Sequence, residues 1–193
     1  MEHSKETLPT FLIDGPLLRG VAREDRLSFL ESMNLQTYPP GDVLFFEGEL
    51  GDELFLVVSG EVVILNHTEM DEPVELTRIL AGDFFGEMAL LSPAPRSASA
   101  IALSFTNALS MPRRQYLDRL EGGDPAAAAL MHSIARRVCQ RLRATDGRID
   151  LIHDALHGAS SEDLESRLVN LTGRDQTGPV GWRESLLQFF GGA

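Results

Sequence analysis

The 193-residue chain carries a net charge of −12, with 43% apolar and 24% charged residues, the composition of a globular protein long enough to bury its own core. A single cysteine, Cys139, excludes a disulfide framework within the chain and a four-cysteine metal or iron–sulfur site. The acidic balance weighs against nucleic acid as a partner, no run of about 18 apolar residues offers a membrane span, and the N-terminus (MEHSKETLPT) lacks the order of a secretory signal, so a cytoplasmic location is expected.

Residues 1–16 read as a polar leader with a short apolar segment, Phe11 to Ile13. Residues 23–33 put Leu27, Phe29 and Leu30 near one face of a short helix. From about 35 to 111 the texture is β-rich, with the runs VLFFE, ELFLVVSG, EVVILN, VELTRIL, SASAIAL and TNALSM. Turn signals separate them at Pro39 to Asp42, Gly51-Asp52, Ser59-Gly60 and Ala81 to Asp83. Many short strands at such spacing mean a sandwich, barrel or roll. PRRQYLDRL then reads as a helix with Pro112 at its first position.

Gly122-Gly123 breaks the chain, and Asp124-Pro125 supplies an N-cap with Pro at N1. A long helix follows, from about 125 to 157. Its stripe of Met131, Ala135, Val138, Leu142, Thr145, Ile149, Ile152 and Leu156 alternates steps of four and three, a heptad pattern. The first half of such a helix packs on its own domain. The stripe runs on beyond the β-rich region, however, and a second copy of the helix is the simplest partner for it. In a parallel pair Arg141 at g would meet Asp146 at e of the partner chain, while Gly147 faces solvent. The cations Arg136, Arg137, Arg141, Arg143 and Arg148 all lie on this helix and read first as a solvated face. Beyond it, SSEDLESRLVNL and WRESLLQFF read as two short helices joined by a Gly/Pro/Thr-rich linker.

The segment with chemical content is Phe85-Gly86-Glu87-Met88-Ala89-Leu90-Leu91-Ser92-Pro93-Ala94-Pro95-Arg96-Ser97-Ala98. Gly86 allows a close backbone approach. Glu87 opens a short helical turn whose free N–H groups suit an anion. Pro93 and Pro95 stiffen a loop that delivers Arg96 to a strand of small residues. A cation, several N–H donors and one carboxylate would suit a cyclic phosphodiester and a ribose hydroxyl, since a guanidinium fork holds two oxygens at once. The same residues could equally form a buried Glu87–Arg96 salt bridge that pins a loop, and chemistry alone leaves both readings open.

The pattern FGEMAL…PRSA resembles the phosphate-binding cassette of the cyclic-nucleotide-binding domain family, the family of kinase regulatory subunits, cyclic-nucleotide-gated channels and bacterial catabolite activators. Gly41, Gly48, Gly51-Asp52, Phe55, Gly60-Glu61-Val62 and Gly82-Asp83-Phe84 extend the resemblance over about residues 17–157. It implies an α+β fold: an antiparallel β-roll (double-stranded β-helix or jelly roll) flanked by helices, with a long C-terminal dimerisation helix. The implied organisation is a β-roll with flanking helices at 17–122, a lid and dimerisation helix at 123–157 and a short helical extension at 158–193. By the same resemblance Arg96 would pair with the phosphate, Glu87 would accept from the ribose 2′-OH, and backbone N–H groups at Ala89 and Ser97 would bind phosphate. Gly86 would sit against the ribose, with Met88 and Ala98 lining the site. Ile64, Leu76 and Thr77 would wall the base, and Arg137 and Arg141 would close over the ligand. Ser97 leaves the choice between cyclic AMP and cyclic GMP open.

Bacterial members of the family continue from the long helix into a winged helix-turn-helix, and the residues after His157 lack that pattern. The expected function is therefore a non-catalytic cyclic nucleotide sensor that couples ligand to a homodimer and a protein partner, without cofactor or metal. The alternative is a cyclic-AMP-responsive transcription regulator of the catabolite activator type with a reduced DNA-binding tail. No HExxH, Walker loop or nucleophile elbow is present. His153 and His157, four apart on one helix, read as incidental rather than as metal ligands.

Overall fold

The structure, a computed structural model, describes residues 8–67 and 73–156, with side chains up to residue 145 apart from His67. Three helical pieces come first: α1 (Thr10–Ile13), a 3-10 turn (Pro16–Leu18) and α2 (Arg23–Glu31). Ten strands follow, β1 (Asn34–Tyr38), β2 (Val43–Phe45), β3 (Leu50–Gly51), β4 (Glu53–Ser59), β5 (Glu61–His67), β6 (Pro73–Leu80), β7 (Phe84–Phe85), β8 (Ala94–Pro95), β9 (Ser99–Ala102) and β10 (Thr106–Pro112). The helical turn α3 (Met88–Leu91) interrupts them, and α4 (Arg113–Glu121) and α5 (Pro125–Leu156) close the order.

The strands pair antiparallel in two four-stranded sheets, β1-β10-β4-β7 and β2-β9-β5-β6, with a two-residue ribbon β3-β8 beside them. This is the antiparallel β-roll with flanking helices that the resemblance implies, with a long helix as the last element among the described residues. Strand β4 explains how one chain feeds two cores. Its side chains alternate between faces, and both faces are buried. Leu54 and Leu56 join Phe29, Leu30, Met111, Tyr116, Leu130 and Ile134 under the helices. Phe55 and Val57 join Val62, Ile79, Phe85, Ala100 and Ala108 inside the roll.

The six β-rich runs became β2, β4, β5, β6, β9 and β10. Sequence reading missed β1, whose NLQTY has no clean alternation; it is held by its ladder to β10 and by Thr37 Oγ1 bonding Asn107 Oδ1 at 2.8 Å. Two further corrections concern the ends of the roll. Pro112 is the N-cap of α4 rather than its first helical residue, because it still pairs with Glu53 as the last residue of β10. The apolar segment of the supposed leader is not peripheral. Leu12 and Ile13 are buried in the helical core, and Arg26 donates to the Ile13 and Val21 carbonyls.

Helix α5 begins as the residues dictate. Asp124 Oδ1 accepts from the N–H groups of Ala126 and Ala127 at 2.7 and 3.2 Å, and Arg119 pairs with its other oxygen. The first half of α5 packs on the domain through Ala126, Ala127, Leu130, Ser133 and Ile134, and Ser133 donates to the Leu17 carbonyl. Of the expected seam, Met131 and Val138 are half-buried against this core, whereas Ala135, Leu142 and Thr145 are exposed. The Thr145 hydroxyl donates back to the Arg141 carbonyl. The seam side chains of Ile149, Ile152 and Leu156, His153 and His157, and the two C-terminal helices lie outside the described residues.

Candidate functional site

The cassette runs from β7 through Gly86, Glu87, α3 and β8 to Arg96. The main chain of Arg96 is fixed first: its N–H donates to the Glu49 carbonyl at 2.7 Å, and its carbonyl accepts from Gly48 at 2.9 Å. Its side chain, 8% exposed, turns inward. Nη1 donates to the Gly86 carbonyl at 3.2 Å and Nη2 to the Glu53 carbonyl at 2.9 Å. The guanidinium carbon lies 4.0 Å from the centre of the Phe45 ring, and Nε is buried without a partner.

Two glycines make this path available. A Cβ at Gly51 would stand 2.1 Å from Arg96 Nε. At Gly86 the backbone has φ +73°, in the left-handed region, and a Cβ would come within 2.7 Å of Nη1. Burial pushes the Arg96 pKa down, and the carboxylates of Glu53, Asp52, Glu49 and Glu87 oppose that shift.

Glu87 is buried at the start of α3, and its Oε1 accepts from Arg141 Nη1 of α5 at 2.7 Å. The direct Glu87–Arg96 bridge that the sequence left open is therefore not the pair that forms: Arg96 is bound to carbonyls and Glu87 to the long helix. Arg137, one turn earlier on α5, stacks on Phe84 at 3.8 Å and donates to the Phe84 carbonyl and to Asp83 Oδ1. The two arginines expected to act together thus take separate partners, Arg137 just before the cassette and Arg141 within it.

The remaining expected residues are placed as follows. Ala89 and Ala98 are buried; Met88 is 53% exposed, and Ser97 is exposed. The Ala89 N–H donates to the Gly86 carbonyl at 3.2 Å. Ile64 sits opposite Thr77 on β6 and Ala100 on β9 and packs against the core of the roll. The register shifts between Ile64 and Leu65, so Leu76 is the extra residue of a bulge, 40% exposed. Sequence reasoning missed Phe45, the Glu53 carbonyl and Asn66, whose Nδ2 bonds the Ser97 carbonyl at 3.3 Å. The unbroken apolar run Val43 to Phe46 does not tell inward Phe45 from exposed Phe46, so neither the ring's orientation nor its contact with Arg96 is readable from the sequence. A separate groove of about 490 Å³, lined by Pro112, Arg114, Gln115, Asp118 and Arg119, shares no residue with the cassette. Among the described residues no cluster of three or more His, Cys, Asp or Glu is placed to hold a metal ion. Likewise, no described helix is long and apolar enough to cross a membrane.

The cyclic nucleotide-binding domain family model matches residues 35–122, which hold the whole cassette. Residues 35–122 belong to the cyclic nucleotide-binding domain family. The chain is 34% identical over 137 residues to the Cyclic AMP receptor protein of Thermus thermophilus, a match covering 71% of this chain and 62% of that protein. It is 38% identical over 92 residues to the cAMP-dependent protein kinase regulatory subunit of Pyricularia oryzae, covering 48% of this chain and 23% of that one. The solved structure of the Thermus thermophilus Catabolite Activator Protein superposes with a TM-score of 0.65 at 34% identity, over 72% of this chain and 64% of that chain. The chain thus spans less than two thirds of these relatives.

Proposed function

We propose that this chain is a non-catalytic sensor of a cyclic nucleotide, cyclic AMP in the first instance, that passes ligand binding to α5. The observation that carries the reading is the placement of Arg96 and Glu87 in one cassette, both buried, with Glu87 bonded to Arg141 of α5. Arg96 spends two of its five N–H donors on carbonyls and keeps three for an anionic phosphodiester. Glu87 has acceptor capacity beyond the one bond to Arg141, and a ribose hydroxyl suits it. The Ser97 N–H adds a phosphate contact, the Ala89 N–H can add another only by giving up the Gly86 carbonyl it holds at 3.2 Å, and Ile64, Leu76 and Thr77 are the residues assigned to the base. The names of the Thermus and Pyricularia proteins, a cyclic AMP receptor and a regulatory subunit of a cyclic-AMP-dependent kinase, support the ligand.

Titration calorimetry with cyclic AMP and cyclic GMP tests this directly. Arg96→Ala should abolish measurable binding while the far-ultraviolet circular dichroism is retained; unaltered affinity would end the reading. The dimer belongs to the same proposal, carried by exposed Leu142 at 58% on the heptad seam. Cys139, the single cysteine of the chain, is exposed on α5 and takes a spin label without further mutation. Interchain distances that collapse to monomer background on Leu142→Glu are the expected result. A second reading, transcription regulation, draws on the Mycobacterium tuberculosis relative, named a CRP-like cAMP-activated global transcriptional regulator. Salt-dependent DNA retardation that requires cyclic AMP would favour it.

A further inference from the structure

The phosphate-side cation is held by more than its hydrogen bonds. Two carbonyls fix the ends of the Arg96 guanidinium in its own plane. They do not fix its face, and Nε makes no bond. What lies against the face is the Phe45 ring, 4.0 Å from the guanidinium carbon. That ring cannot easily turn away. It packs on Phe55 and Phe85 at 5.9 Å each, and those two stack at 5.3 Å. Opposite Phe45 in the ladder stands Ala100, fully buried and too small to displace it. A cation on the negative face of an aromatic ring is attracted most strongly where water is excluded, and Arg96 is 8% exposed.

We propose that Phe45 is a positioning residue for Arg96: its ring face holds the guanidinium in the pose from which a phosphodiester anion is bound. The proposal rests on the reading of Arg96 as the phosphate-binding residue. A long, flexible arginine would otherwise populate several rotamers, and each unproductive one dilutes apparent affinity by the fraction it takes. The same ring could be no more than core packing. The two roles differ in what they need from it: packing needs its volume, positioning needs its electron-rich face.

The test replaces Phe45 in the full chain by its mono-, di- and trifluorinated analogues through codon suppression. These keep the ring's shape and drain its face stepwise. Cyclic AMP affinity is read by calorimetry, and the ligand-free melting temperature is recorded for each protein. The dissociation constant should climb with each fluorine, reaching about tenfold for the trifluoro ring, while the melting temperature falls by no more than the about 2–5 °C that the lost contact itself contributes. Phe45→Tyr, which retains the face, should bind within about twofold of the unaltered chain, and Phe45→Leu should fall to the trifluoro level. A dissociation constant that stays flat or falls across the series, in a chain whose unaltered form binds, overturns the role of Phe45 and leaves the sensor intact. Absence of binding by the unaltered chain to either cyclic nucleotide overturns the sensor and this role together.

Discussion

Replacing Arg141 with methionine keeps an aliphatic stem on α5 and removes the charge that Glu87 Oε1 accepts at 2.7 Å. The two partners sit in unequal surroundings: the Glu87 side chain is 2% exposed and that of Arg141 52%. Exposed pairs contribute about 0.2–1 kcal/mol, and breaking a buried one costs about 3–5 kcal/mol. A buried acceptor with a half-exposed donor falls between, at about 1–2 kcal/mol. In a chain of this size about 1 kcal/mol moves the melting temperature by about 2–4 °C, so Arg141→Met should lower it by about 2–8 °C. The single variant confounds the pair with whatever else Arg141 shields. A double-mutant cycle with Glu87→Gln isolates the pair. Denaturant unfolding of the four proteins should give a coupling of about 1–2 kcal/mol. Additivity within about 0.3 kcal/mol would show that the bond contributes nothing, and would remove the physical link between cassette and helix.

Gly51→Ala places a methyl 2.1 Å from Arg96 Nε and 2.4 Å from its Cζ. The buried guanidinium must move and give up its bonds to the Gly86 and Glu53 carbonyls, so cyclic AMP affinity should fall by roughly 10- to 100-fold and the melting temperature should drop with it, as calorimetry and thermal denaturation would show. Asp124→Ala removes the cap of α5 and the partner of Arg119; a loss of about 1 kcal/mol in denaturant unfolding is expected. Burial pushes Tyr116 from its ordinary value of 10.0 up to about 12. The folded state therefore keeps a proton that the unfolded chain releases, so this stability is complete below pH 10 and disappears as pH rises towards 12. Tyr116→Phe should flatten the alkaline fall in melting temperature, and tyrosinate absorbance, which here reports only two tyrosines, should follow unfolding.

Local patterns made much of this legible. The apolar run Leu54 to Val58 announced the strand β4, and Asp124-Pro125 announced the start of α5. The string from Phe85 to Ala98 located Glu87 and Arg96 together. The rest depended on contacts between distant segments. Strand β1 exists because β10 offers it a ladder, and Phe45 meets Arg96 only because the β2 and β9 strands pair. The resemblance named Arg137 and Arg141 together on the long helix. It could not say that one would take Asp83 and the other Glu87, since those acceptors are placed by the turn before the cassette and by Gly86 within it.

The two charges proposed to meet the ligand are anchored to different parts of the molecule. Arg96 is tied to main-chain carbonyls of β4 and of Gly86 and lies on the aromatic core of the roll, so moving it means breaking bonds inside a packed interior. Glu87 is tied instead to a half-exposed side chain on α5, beside the exposed Leu142 and Thr145. A ligand that competes for Glu87 alters a bond to α5, whereas one that meets Arg96 alters none of them. Transmission to the helix should therefore run through the sugar contact, with the phosphate contact supplying affinity. On this division of roles, a Glu87→Gln chain would still bind cyclic AMP through Arg96 but would show no ligand-dependent change at a probe on Cys139. An Arg96 variant that binds at raised ligand concentration would show the full change. The reverse pattern would place the coupling on the phosphate side and refute the argument.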